Sequence, residues 1–180
     1  MKQIVLAFFT SLLLISCNPL GTDDEGGRSE FDVEISGALS TSIHGNASHA
    51  IFENLGGIIQ LLSDSESPIT INFTARDAQF PEEKTYTVVE FTANGLYGDL
   101  GEGQFHVLIE QEPFENFSTR FASELGTITI TDQTDNIIEG TFDFEAVGHE
   151  YIENDNDVAD TVDVSISVSG SFTSLRGELL

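Results

Sequence analysis

From Phe31 onward, apolar and polar residues alternate with a period of two, in short runs broken by Gly, Asn, Asp and Pro. Successive side chains of an extended strand point to opposite faces, so this period describes strands with one buried and one wetted face. Phe31, Val33 and Ile35 alternate with Asp32, Glu34 and Ser36; Ile69, Ile71, Phe73 and Ala75 with Thr70, Asn72 and Thr74; Phe105, Val107 and Ile109 with His106, Leu108 and Glu110. Thr85 to Ala93 is β-branched and aromatic throughout, which suits a half-buried pleated surface. In Gly126–Ala146, Ile128 and Ile130 face one way. A turn over Asp132–Asn136 then leads into Ile138, Gly140, Phe142 and Phe144, which spells a hairpin. In the last strand Val162, Val164, Ile166 and Val168 point inward, with Thr161, Asp163, Ser165, Ser167 and Ser169 outward. A slip of one residue would expose that whole apolar set, so its register is firmly specified.

Ile58–Leu62 lacks alternation and reads as a strand buried on both faces. Pro113–Leu125 places Phe114, Phe117, Phe121 and Leu125 at helical spacing, but its Ser content and the strand that follows favour strand and loop; any helix would lie here. The pattern amounts to nine or ten short strands with hairpin connections and little or no helix. The expected fold is an all-β antiparallel β-sandwich, with a β-barrel as the alternative, formed by residues 31–180 as a single domain.

The wetted faces are acidic. The 180 residues include 31 Asp+Glu against 6 Lys+Arg, a formal net charge of −25. Nothing in such a chain can replace the counterions of a phosphate backbone, so no nucleic-acid partner is expected. High like charge also keeps a strand-rich surface soluble and discourages edge-to-edge pairing. The single Cys excludes an internal disulfide framework and a multi-Cys metal site.

That Cys stands in an informative place. Met1-Lys2 begins a minimal positive region, and Ile4–Ile15 is an apolar run interrupted by Thr10 and Ser11. It falls short of the roughly 20 residues that span a bilayer as a helix and suits the apolar core of a secretory signal peptide. Leu14-Ile15-Ser16-Cys17 resembles the lipobox of bacterial lipoprotein precursors. The resemblance implies a diacylglycerol thioether on Cys17, cleavage of a signal peptide 1–16, and acylation of the new amine. One acyl chain binds marginally, whereas two or three anchor stably. Residues 17–30, with Asp23-Asp24-Glu25 and Gly26-Gly27, then read as the lipidated Cys and a flexible acidic tether. In Gram-negative lipoproteins an Asp after the Cys retains the protein at the inner membrane. Asn18 stands here, which points to the outer membrane. The acidic triplet also resembles surface-export signals of Bacteroidota lipoproteins.

The closing segments GTITIT, EGTFDFEA and SISVSGSF are similar to the ends of small β-rich lipoproteins of Bacteroidota. That similarity implies a fold and an envelope address, and no reaction.

No pair of His44, His49, His106 and His149 has the helical zinc-site spacing. His44 and His49 flank Gly-Asn-Ala and would converge if it is a turn; all four are expected on exposed strands or loops. No nucleophile-elbow Gly-x-Ser-x-Gly occurs, and Gly95, Gly98, Gly101 and Gly103 are interleaved with Asp99 and Glu102, which would repel phosphate. With 31 carboxylates, chance pairs at hydrolytic spacing carry little weight. Glu150–Asp163 is different: Glu153, Asp155, Asp157 and Asp160 alternate with Asn, supplying hard oxygen ligands suited to Ca²⁺. The stretch departs from the EF-hand loop, since Val158 stands where the turn Gly belongs and no bidentate Glu closes it. Asp155, Asp157 and Asp160 are therefore calcium candidates only as a sandwich loop, with Asp132 and Asp135 as a weaker second pair. Asp160-Thr161-Val162 also matches the short acceptor pattern of Bacteroidota O-glycosylation.

The reading these features favour is a lipid-anchored envelope module that binds or assembles without catalysis. A calcium-assisted adhesion or glycan-binding module is its sharper form. An envelope hydrolase using loop carboxylates and a purely structural lipoprotein stand beside it. The expected partners are the membrane, through the lipid on Cys17, and an envelope protein or glycan.

Overall fold

The computed structural model describes residues 29–53, 55–66, 68–91, 100–111, 120–153 and 159–177, without the side chains of 151–153 and 159–160. The alternation is realised as nine strands: β1 (Glu30–Gly37), β2 (Thr41–Phe52), β3 (Gly56–Ser63), β4 (Ile69–Ala75), β5 (Thr85–Val88), β6 (Gln104–Gln111), β7 (Arg120–Gln133), β8 (Ile137–Glu153) and β9 (Ala159–Arg176). No helix occurs among the described residues. The all-β expectation of nine or ten strands therefore holds, and Arg120–Leu125 is strand.

All nine strands belong to one hydrogen-bonded sheet in the order β1-β2-β3-β4-β6-β5-β7-β8-β9, and β1 pairs with β9 to close it. Its walls pack face to face as in a sandwich, while its connectivity closes as in the barrel alternative. Pairing is antiparallel except for two short parallel contacts, β2 with β9 and β5 with β6. These antiparallel directions bring Ser29, the β2–β3 turn, the β4–β5 loop, the β7–β8 turn and Gly177 to one rim. The β1–β2, β3–β4 and β8–β9 connections go to the other.

Side chains fill the space between the walls. Phe73 of β4 reaches across to Phe142 and Phe144 of β8 and Phe172 of β9, with ring centroids at 4.9, 5.9 and 6.5 Å. Phe80, Tyr86 and Phe105 meet edge-on at 5.1–6.2 Å nearer the first rim. Each fully buried Phe or Ile contributes about 1.5–3 kcal/mol relative to exposure, so this interior is the main source of stability. The inward sets expected on β1, β4, β6 and β8 are all buried.

Three local expectations are corrected. The inward row of β9 starts at Val164, which is half-buried against the core: Val162 is 46% exposed because it lies farther past Gly37, the last β1 residue paired with β9. The strand expected over Thr85–Ala93 ends at Val88, and Ser123 then accepts the Phe91 amide with its carbonyl (2.8 Å). Ile58–Leu62 is buried on one face only, with Ile58, Gln60 and Leu62 half-exposed outside.

Candidate functional site

Because the pleat sends alternate side chains outward, strand register lays polar residues in rows across the outer wall. One row runs Thr85, Thr129, Thr141, Ser171, Asp32, His44, each residue opposite the next on the neighbouring strand. The adjacent row runs Thr87, Thr127, Asp143, Ser169, Glu34, Ser42. Hydroxyls and carboxylates bond along the rows: Thr85 Oγ1 lies 2.9 Å from Thr129 Oγ1, and Ser42 Oγ donates to Glu34 Oε2 at 2.6 Å. Neither row contains Lys or Arg.

Two grooves flank β1 on this wall. The larger, about 410 Å³, is lined by Ser29, Glu30, Phe31, Asp32, His44, Gly45, Asn46 and Asp64. Asn46 Nδ2 donates to Asp64 Oδ1 at 3.1 Å in its lining. The smaller, about 210 Å³, shares Glu30–Asp32 and is completed by Thr131, Glu139–Thr141 and Ser171–Thr173. Carboxylates, an imidazole, an amide and hydroxyls on a rigid sheet can accept hydrogen bonds from the hydroxyls or ammonium groups of a polar ligand.

Two polar assemblies lie inside. His49 is fully buried, and its Nδ1 is 2.9 Å from Ser174 Oγ. The single Ser174 hydroxyl proton goes to the Ile138 carbonyl (3.2 Å), so His49 Nδ1–H is the donor and Nε2 keeps its lone pair. Nε2 has no hydrogen-bond partner. Burial first, then the Arg176 charge, lowers the His49 pKa to about 4, so the ring is neutral at pH 7. The second assembly joins the β4–β5 loop to the chain before β6. Asp77, whose side chain is 1% exposed, accepts the Gln79 amide (2.9 Å), the Gly103 amide (3.0 Å) and Lys84 Nζ (3.2 Å). Burial alone would raise its pKa, but these donors outweigh it and hold the carboxyl below the ordinary range. Lys84 also bonds Glu82 at 3.0 Å and lies over the Tyr86 ring, 4.7 Å from its centre.

The sequence candidates are placed as follows. Cys17, Asp155 and Asp157 lie outside the described residues. Asp160 is the second residue of β9, paired with Ile152, and its side chain is not described. Thr161 is exposed opposite Tyr151. Among the described residues no group of three His, Cys, Asp or Glu side chains could hold a metal ion. Asp132 is paired opposite Glu139 in the last but one β7 pair, and Asp135 lies in the turn before β8.

His44 and His49 do not converge. Gly45-Asn46-Ala47 is continuous β2, His44 facing the groove and His49 the core. His106 is likewise buried, so two of the four histidines expected at the surface are interior. His149 is exposed, with Nδ1 2.8 Å from Asp163 Oδ1 across the β8–β9 pair. The polar rows and the Asp77 assembly had no signature in the chain; they arise from strand register and from loops that meet only after folding.

No family model matches the chain, and neither a curated protein nor a solved structure matches it.

Proposed function

We propose that the chain is a lipid-anchored lipoprotein of the cell envelope, held by acyl chains on Cys17 at the outer membrane, whose β-domain is a non-catalytic binding or assembly module. The observation that carries this reading is the filled interior. Where a barrel stores its ligand, the space is left empty; here Phe73, Phe142, Phe144 and Phe172 occupy it at ring contact. Recognition then falls to the outer wall, whose groove beside β1 combines Asp32, His44, Asn46 and Asp64. Two buried hydroxyls are taken up by the fold, whereas the buried Ser48 Oγ has no hydrogen-bond partner. Ser123 Oγ donates to the Val89 carbonyl (2.7 Å) and accepts the Val107 amide (3.0 Å), while Ser174 binds His49 and Ile138. The ligand class that fits the groove is polar and rich in hydroxyl or ammonium groups, as a glycan or a basic protein segment is.

The test is in-cell photocrosslinking with the full chain, a photoreactive residue replacing Asp32 or His44 in one set and Ile58 in another. The groove positions are expected to yield a discrete covalent adduct that Ile58 does not. Adducts absent from both groove positions, or equal at all three, would contradict a binding site there.

A further inference from the structure

We infer that the rim through which the chain enters the β-domain docks on the phospholipid surface that holds Cys17, with Phe52 and Leu55 entering the headgroup layer. This rests on the lipid anchoring proposed above and adds an orientation to it. The tether ends at Ser29, whose Oγ accepts the Ala47 amide (2.8 Å). β2 continues for five residues past Ala47 to Phe52, so the β2–β3 turn stands about 17 Å beyond the point of entry. The twelve residues Asn18–Ser29 span at most about 40 Å, so an anchored Cys17 keeps this rim near the bilayer. At the turn Phe52 is 41% and Leu55 63% exposed, an aromatic and a branched aliphatic side chain three residues apart, whereas the other exposed large apolar side chains among the described residues, Leu125 and Val162, stand singly on other strands.

The basic side chains are placed unevenly between the two ends. Of the Lys and Arg side chains at described positions, Arg76, Lys84 and Arg176 stand on this rim, and Arg120 alone on the opposite one. Acids outnumber and are interleaved with them there: Glu53, Asp77, Glu82, Glu83, Glu102, Asp132 and Asp135. Mixed signs around an apolar tip suit a zwitterionic headgroup layer, whereas a chain of formal charge −25 is repelled by an anionic one. The β8–β9 end carries Glu150 and Asp163, and it points away from the bilayer in this orientation.

The chain has no Trp, so one introduced indole reports its own surroundings. The full chain, lipidated in a bacterial host, is placed on zwitterionic phosphatidylcholine vesicles with brominated acyl chains, which quench indole on contact. Leu55→Trp and Val162→Trp are compared, with Phe52→Trp as a second probe of the same turn. Both proteins are expected to float with the vesicles, Leu55→Trp losing about half its emission and Val162→Trp none. Flotation of both with Leu55→Trp and Phe52→Trp unquenched would overturn the docking and leave the anchor standing. Failure of every variant to float would overturn the anchor itself.

Discussion

Gly140 on β8 lies directly opposite Phe172 on β9, and a Cβ at Gly140 would stand 2.7 Å from the Phe172 ring. Two rungs along, the relation is reversed: Phe142 is opposite Gly170, where a Cβ would meet the Phe142 ring at 2.9 Å. The Gly-x-Phe spacing occurs on both strands, Gly140-Thr141-Phe142 and Gly170-Ser171-Phe172. Antiparallel pairing sets each ring over the other strand's glycine, and the two rings stack at 6.3 Å.

Gly140→Ala should therefore destabilise the domain by about 1–3 kcal/mol, as overpacking does. Urea unfolding measures it. In a Phe172→Leu background the same substitution should cost distinctly less, since the two positions share one space. Equal costs in both backgrounds would show that the glycine answers to something other than the ring, such as the Thr129 carbonyl 2.6 Å from the same Cβ.

His49 makes stability depend on pH. Its pKa is lowered from 6.5 to about 4 in the folded chain. As pH falls below about 6.5 the unfolded chain takes up a proton that the folded one refuses, so stability declines until the folded pKa is reached. The loss across that window is of order 3 kcal/mol at 1.36 kcal/mol per unit. Urea titrations at pH 7 and pH 4.5 on the native chain and on His49→Gln test this. The native chain should lose more stability than the variant between the two values, whose common carboxylate effects cancel. Identical losses would contradict it.

The Asp77–Lys84 pair is asymmetric. Asp77→Ala strands two backbone amides and removes one of the two carboxylates that Lys84 bonds, and should cost about 3 kcal/mol. Lys84→Ala leaves Asp77 with both amides and should cost about 1 kcal/mol. Because the folded Asp77 pKa is depressed, its contribution is present above the ordinary carboxylate pKa and is lost as pH falls through the lower folded one. Thermal unfolding of the two variants at pH 7 checks the order, and a larger loss for Lys84→Ala would refute it.

What could be read from the chain follows from the range of each interaction. Alternation is local, so Phe31–Ile35, Ile69–Ala75 and Ile138–Phe144 were legible with their buried faces. Closure of the sheet was legible only as an alternative, because the pairing of Val33 with Gly170 links residues from opposite ends of the chain. Val162 was misread since alternation does not report where the neighbouring strand stops. His49 was misread because Gly-Asn reads as turn chemistry, yet in β2 it continues the strand between β1 and β3. The groove beside β1 draws Asp32, His44 and Asp64 from two strands and a turn, with no spacing to betray it.

The intact mass of the protein purified from membranes decides whether the chain is held in the envelope through Cys17. The expected species is a chain beginning at Cys17 that carries a diacylglycerol thioether and an amide-linked acyl group, and Cys17→Ser is expected to be recovered unacylated. A chain with a free Cys17 thiol, or one that retains residues 1–16, would contradict it.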